Sequence, residues 1–468
     1  MLQRNRLFGI TGLAAFLLLT ACTEPTRDVS PWSRLLPGEA GQSVGAMALD
    51  PQGEPAVTGA LFDGVDPGGA LPDGIGQGVF LAMLSGTGDG LWGGMSAGQL
   101  TQGRGVAIAP NGDVLLLGTF TGTLSLGGPD LSGRDSPPFP EATFLARYDP
   151  RGKLLWSKRI DEALGPSAQG LSLAMNAGGD AVIGGYFVQS IELDGESYVE
   201  VQAGLVASFD ADGKHLWSQA LKGESSRVTA VAVDATGAIY AAGSDLGSID
   251  YTHQDQTVTV PAGFVTKLSP HGQPLFSTRV NATSYSGAPH IRALALSPAG
   301  EVVFSGEFGD DILFGSTRFP VFLNPLAFVA TISALTGEPR WLAPIETTFG
   351  QAEVLAVAAG PDGRVYATGQ YRGDELRVAG LTLGPTSGAA MFLLELDAAG
   401  KAMDGRVFDH AGQLSVGRAL AVDPAGALVL AGHFIGQIEL DDQALTSAPL
   451  GSSFVARLAL PFASHRRE

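Results

Sequence analysis

Residues Val228–Gly243, VTAVAVDATGAIYAAG, hold the pattern on which the rest of the chain is built. An apolar run alternates small and large side chains, reaches a turn that ends in Gly237, and is answered by a second run that ends in Gly243. Alternation with a period of two is the mark of a β-strand. The polar turn between the runs predicts a hairpin, because glycine accepts the positive φ that such a turn needs.

The unit recurs seven times. Its turn glycines are Gly53, Gly112, Gly179, Gly237, Gly300, Gly363 and Gly426. Six residues after each comes the second glycine: Gly59, Gly118, Gly185, Gly243, Gly306, Gly369 and Gly432. Copies about 60 residues apart define a repeat architecture that outweighs any domain count drawn from length alone. Strand A has Ala at its penultimate core position in every copy (Ala48, Ala107, Ala174, Ala232, Ala295, Ala358, Ala421). Two residues earlier the side chain is again small (Ala46, Gly105, Ser172, Ala230, Ala293, Ala356, Ala419). A strand crowded against a central axis needs such residues on at least one face.

Strand B leads into a variable segment that includes strand-like pieces such as Ile191–Leu193 and Ile438–Leu440. Strand C reads Phe144-Leu145-Ala146 or Phe328-Val329-Ala330, and a second tight turn follows it. Strand D bears Trp92, Trp156, Trp217 and Trp341, with Phe276 in the fourth unit. The sixth unit departs, with Met403 nearby, and the seventh runs out of chain before a strand D. Pro31-Trp32-Ser33-Arg34 resembles Leu155-Trp156-Ser157-Lys158 but precedes the first strand A. It reads as the missing strand, supplied from the other end of the chain, so that no sheet edge stays open at the seam. The predicted fold is all-β: a seven-bladed β-propeller of four-stranded antiparallel blades, closed by an N-terminal strand that completes the last blade.

These units resemble bacterial seven-bladed β-propeller repeat proteins, which are often lipoproteins, and the likeness covers residues 31–460. They lack the Gly-His and Trp-Asp signatures of WD40 blades, and share the strand-turn-strand look of NHL units without that family's later motif. The resemblance implies a fold and leaves activity open.

Arg4 and Arg6 precede the apolar run Leu7–Leu19, which is too short to cross a bilayer. A basic start, an apolar middle and small residues before a cut describe a secretory signal over residues 1–21. The Leu19-Thr20-Ala21-Cys22 ending resembles the lipobox of bacterial lipoproteins, which implies acylation of Cys22, the sole cysteine. Thr23 lacks the Asp of an inner-membrane retention signal, so the outer membrane of a bacterial cell envelope is the expected site. Residues 22–30 are a polar tether and 461–468 a short tail. One cysteine permits no intramolecular disulfide, so stability must come from packing and closure. A formal net charge of −19 opposes nucleic acid and anionic lipid as partners.

Motifs of chemistry dissolve on inspection. Gly41-Gln42-Ser43-Val44-Gly45 spells a nucleophile elbow, but the strand-turn-helix that exposes such a serine is missing. Gly88–Gly93 matches a dinucleotide fingerprint with no βαβ unit around it, and Asp210-Ala211-Asp212-Gly213 lacks the rest of a calcium loop. The seven histidines show no metal-ligand spacing. No catalytic residue, metal or cofactor is therefore predicted. One constellation remains. Arg104, Arg292 and Arg418 share a position at the start of strand A, and Arg227 lies just short of it in the fourth unit. In a propeller these ends ring one mouth of the axial channel, where arginines suit a carboxylate or phosphate. Salt bridges to neighbouring acids are the competing reading. The expected function is a non-enzymatic lipid-anchored scaffold whose loop face takes a protein or glycan partner. The alternative is an axial-pocket enzyme of the propeller lyase or lactonase type.

Overall fold

The computed structural model describes residues 30–459, apart from 37–41, 63–76, 98, 134–140, 161–168, 194–195, 222–224, 247–259, 285–286, 322–325, 410–413, 442 and 450. Cys22, the signal and the tail lie outside the described residues. Every regular element described is a strand. The chain is a seven-bladed β-propeller.

In blade 1, strands A to D are Gln42–Leu49, Pro55–Phe62, Gln77–Leu84 and Gly90–Ala97, hydrogen-bonded in that order. The next five blades repeat this A–B–C–D arrangement. Their A strands begin at Gln99, Gln169, Arg227, His290 and Gln351. The seventh takes strands A to C from Ser415–Val422, Leu428–Phe434 and Ser452–Leu458, and its D strand is Trp32–Leu35. Trp32 pairs with Arg457 and Leu35 with Phe454, so the seam closes as the sequence predicts. The seven A strands pack against one another in a closed circuit around the axis.

Two sets of glycines make this packing possible. Each second glycine of the repeat faces strand A so closely that a Cβ would collide with a strand A carbonyl, as Gly59 would with Ser43 and Gly369 with Glu353. In every blade but the third, where Leu205 faces Gly185, the freed space receives a phenylalanine of strand C, with Phe80 beside Gly59 and Phe392 beside Gly369. These rings are fully buried between blades.

The second set links the blades at the rim. The ring of each strand D aromatic lies on the C–D turn glycine of the next blade: Trp32 on Gly88, Trp92 on Gly152, Trp156 on Gly213, Trp217 on Gly272, Phe276 on Gly337 and Trp341 on Gly400. Indole N–H groups also donate to carbonyls in those turns, from Trp32 to Gly86 (2.8 Å), Trp92 to Pro150 (3.0 Å), Trp156 to Ala211 (3.0 Å) and Trp341 to Ala398 (3.0 Å).

The two departures from tryptophan now have causes. Before Gly337 the turn closes from Ser333, one residue longer than the Asp149-to-Gly152 turn, and there a ring without an N–H stands. In blade 6 the register places Asp404, not Met403, at the tryptophan position. Blade 7 has no C–D turn, because its D strand comes from the other end of the chain, so an aromatic there would have nothing to cover.

The B–C segments carry the variation. Strand B of blade 3 continues without a break through Leu193, whereas Ile438–Leu440 belongs to a separate hairpin, Gln437–Leu440 with Gln443–Thr446. Hairpin Ile312–Phe314/Thr317–Phe319 extends the edge of blade 4, and Leu376–Val378/Leu381–Leu383 extends that of blade 5. Both cover strand D edges that would otherwise offer unpaired backbone groups.

Candidate functional site

A–B and C–D turns lie on one face of the ring and B–C and D–A loops on the other, because the strands alternate in direction. Near the loop face, strand A carries one extra residue in every blade. The register slips at Gly45, Arg104, Leu171, Thr229, Arg292, Leu355 and Arg418. A bulge re-aims the side chain it carries and is favoured beside functional sites. The structure thus places Arg104, Arg292 and Arg418 at one repeated bulge around the axial mouth. It separates Arg227 from them: Thr229 holds the bulge of blade 4, and Arg227 stands two residues earlier.

A second tier sits just above the bulge, where strand A faces the residue that follows the second glycine of strand B. The cross-strand pairs are Ser43/Ala60, Gln102/Thr119, Gln169/Tyr186, Arg227/Ser244, His290/Glu307, Glu353/Gln370 and Val416/His433. All but Ala60 and Val416 are polar.

Blades 3 to 6 satisfy one another. Tyr186 donates to Gln169 (2.6 Å), and the Arg227 guanidinium lies over the Tyr186 ring at 5.3 Å. His290 Nδ1 meets Ser244 at 3.2 Å, Arg292 binds Glu307 at 2.6 Å and reaches Glu353 at 4.0 Å, and Gln370 donates to Glu353 at 2.8 Å. The competing reading of the arginines holds for Arg292, which is ion-paired.

Blades 7, 1 and 2 differ. Among the described residues, no hydrogen bond or ion pair reaches Arg104 or Arg418. The Arg104 Nε and the His433 Nδ1 are buried without partners. Between these groups, the bulge and second tier of blade 1 hold Ser43, Gly45 and Ala60 among the described residues. Burial depresses the Arg418 pKa, against the pull of Glu353. Burial, aided by the Arg418 charge, lowers His433 to about 4 and holds its imidazole neutral. His290 is lowered as well, first by burial and then by Arg292 and Arg227, with Glu307 opposing.

These tiers were only half visible in the sequence. Counting along strand A finds the bulge arginines, but the polar pairs need the register across two strands, and the acids that neutralise Arg292 come from strand B and the next blade. Among the described residues no group of three metal-ligating side chains converges. A cleft of about 290 Å³ opens elsewhere, at the rim between blades 1 and 2, lined by Phe80, Trp92, Met95, Leu116 and Tyr148. Its surface is about as polar as apolar, and burial raises the pKa of its tyrosine.

No family model matches the chain, and neither does any curated protein. Solved structures similar to it include virginiamycin B lyase from Staphylococcus aureus, at 8% identity and TM-score 0.46, covering 92% of this chain and 99% of that one. A gluconolactonase from Xanthomonas campestris aligns at 13% identity and TM-score 0.35, over 82% of this chain and 91% of that one. A Bacteroides caccae protein of unknown function aligns at 13% and 0.33, over 67% and 93%. Likenesses this remote carry no ligand or activity to this chain.

Proposed function

We propose that the protein is a non-enzymatic, lipid-anchored binding propeller of the bacterial cell envelope, tethered through Cys22 and presenting its loop face to a protein or glycan. The observation that carries the reading is the contrast between faces: tight turns hydrogen-bonded within themselves on one side, and on the other connecting loops that differ in length and sequence from blade to blade. Exposed functional residues concentrate on such loops. Phe349, between strand D of blade 5 and strand A of blade 6, stands 83% exposed at φ 51°. A non-glycine residue held in that region while its ring faces solvent marks a contact point.

The anchor fits this orientation. Strand Trp32–Leu35 begins on the tight-turn face, where Trp32 meets Gly86 and Gly88, so a tether from Cys22 enters there. Nine residues span at most about 30 Å when extended. Acylation at Cys22 would hold the tight turns toward the bilayer and turn the loops away from it.

Two measurements test this. Cys22→Ser moves the protein into the soluble fraction, and persistence of the variant with membranes after a high-salt wash overturns the anchor. A photoreactive phenylalanine analogue at position 349 captures a partner in cells, whereas the same group at Leu335, 82% exposed on a C–D turn, captures none. Equal capture at both positions overturns the assignment of faces. The enzyme alternative has one favourable observation, the neutral His433 with a ring nitrogen that lacks a partner among the described residues, which is able to accept a proton, though as a weak base at about 4. Lyase or lactonase turnover abolished by His433→Gln would establish it.

A further inference from the structure

The ring of polar residues at the axial mouth is closed on one side and open on the other, and the open side has a definite chemistry. We infer that blades 7, 1 and 2 form a binding site for a carboxylate-bearing saccharide, such as a uronate, with its carboxylate between Arg418 and Arg104 and its hydroxyls toward His433, Ser43 and Gln102. The inference rests on the reading of the loop face as the binding surface and names what it binds.

Four observations lead there. First, Arg104 and Arg418 occupy the same bulge position as Arg292 but, unlike it, make no ion pair among the described residues, with Glu353 acting on Arg418 only from a distance. Second, the blade between them lacks the side chains that fill the mouth elsewhere: at the register of Glu353 it has Ser43, and at the register of Gln370 it has Ala60. Among the described residues, a notch between the Arg104 and Arg418 guanidinium groups is thus left over blade 1. Third, a buried donor or acceptor without a partner is costly, and both Arg104 Nε and His433 Nδ1 are in that state. A bound hydroxyl acid would satisfy both kinds of group. Fourth, the mouth is only weakly cationic. Arg104, Arg227, Arg292 and Arg418 stand against Glu307 and Glu353, with Glu141 close to Gln169 at 3.5 Å.

The guanidinium fork matches a carboxylate through two parallel N–H donors, and neutral imidazole offers one acceptor to a hydroxyl. Tyr186, beyond Arg104, supplies the one aromatic face in the second tier, and its pKa is raised, first by burial. Sugar rings that extend past the notch meet it there.

The test is titration calorimetry of the Cys22→Ser propeller with trigalacturonate, its methyl-esterified form, and inorganic phosphate. Trigalacturonate is expected to bind and the neutral ester not, with phosphate weaker by about tenfold or more. Arg418→Gln and Arg104→Gln should each weaken binding by about tenfold, and more at low ionic strength where screening is least. Ser43→Glu keeps every arginine but supplies blade 1 with the acid it lacks, and should abolish binding by occupying the notch from within. Unfolding temperatures within a few degrees of the parent show that each variant is folded. Equal binding of the ester, phosphate binding as tight as trigalacturonate, or retained affinity in Ser43→Glu overturns the proposal. So does an absence of binding by the parent. Photocapture at position 349 in that last case leaves the loop-face reading standing while this inference falls.

Discussion

On the tight-turn face the same contact is made six times, an aromatic ring of strand D laid on the turn glycine of the following blade. On the loop face no two blades present the same pair of side chains at the mouth. Both faces belong to one repeat, so their difference separates two pressures on the sequence. Where a contact recurs from blade to blade, it holds the ring together. Where a repeated position carries unlike residues, as the second tier does with Ser43, Gln102, Arg227, His290, Glu353 and Val416, stability places little demand on it and specificity is free to act.

Breaking the recurrent contact at the seam should have the largest effect. Trp32 is buried, joins blade 7 to the turn of blade 1, and lies in a strand contributed from the far end of the chain. Trp32→Ala is expected to cost about 3–5 kcal/mol in denaturant unfolding, the usual range for truncating a buried tryptophan. Amides of Ser452–Leu458 should lose exchange protection first, because they pair with Trp32–Leu35. Deleting residues 31–36 should cost more, since it also uncovers an edge that promotes aggregation. If exchange quickened evenly around the ring, the seam would be no weaker than any other blade junction.

A smaller effect should come from the loop face through pH. His433 titrates near 4 in the folded protein and near 6.5 when unfolded, so between these values the unfolded chain holds a proton that the folded one lacks. Stability is then present above about pH 6.5 and declines as pH falls toward 4, by on the order of 3 kcal/mol at most. The groups that set this are the desolvated ring and the Arg418 charge beside it. His433→Gln should flatten that part of the profile. An unchanged profile would show that the imidazole is freely hydrated.

The mouth arginines should matter less still to the fold. Arg418→Gln, at an exposed side chain, is expected to change stability by no more than about 0.5 kcal/mol, and Arg104→Gln, which removes a buried unpartnered Nε, should cost no more. Arg292→Gln, which strands Glu307, should cost slightly more. A large loss in the first two would mean that the free guanidinium groups stiffen the ring instead of awaiting a ligand.

What could be read in advance follows the same division. The turn glycines, the alanines of strand A and the strand D tryptophans recur at fixed intervals, and recurrence alone located the blades, their strands and the seam. The mouth was legible only in outline. Arg104, Arg292 and Arg418 could be aligned along strand A, but whether each was paired depends on Glu307 across the hairpin and Glu353 in the next blade. Neither contact has a signature along the chain. Arg227 is already legible as out of step, reading along the chain as one residue short of the shared position; the ladder makes the offset two, with Thr229 at the bulge. The hairpins of blades 5 and 6 were invisible because they pair with the edge strands of blades 4 and 5.

The smallest predicted effect is the most discriminating for the recurrent contact. If the strand D aromatic were favoured for its own burial or for strand propensity, Asp404→Trp would restore the repeat and stabilise blade 6. If it is favoured because it covers the next blade's C–D turn, the substitution should yield nothing, since blade 7 has no such turn. The second outcome is expected, with a change within about 0.5 kcal/mol. Blade 4 gives the matched control. There Phe276 already lies on Gly337, in a turn one residue longer than its counterparts. Deleting Thr336 while replacing Phe276 with Trp would recreate the geometry of Trp156 on Gly213, including an indole N–H aimed at a turn carbonyl. That double change should recover up to about 1 kcal/mol, the typical net value of one hydrogen bond. A gain at Asp404 with none at Phe276 would reverse the explanation and make the aromatic a property of its own strand.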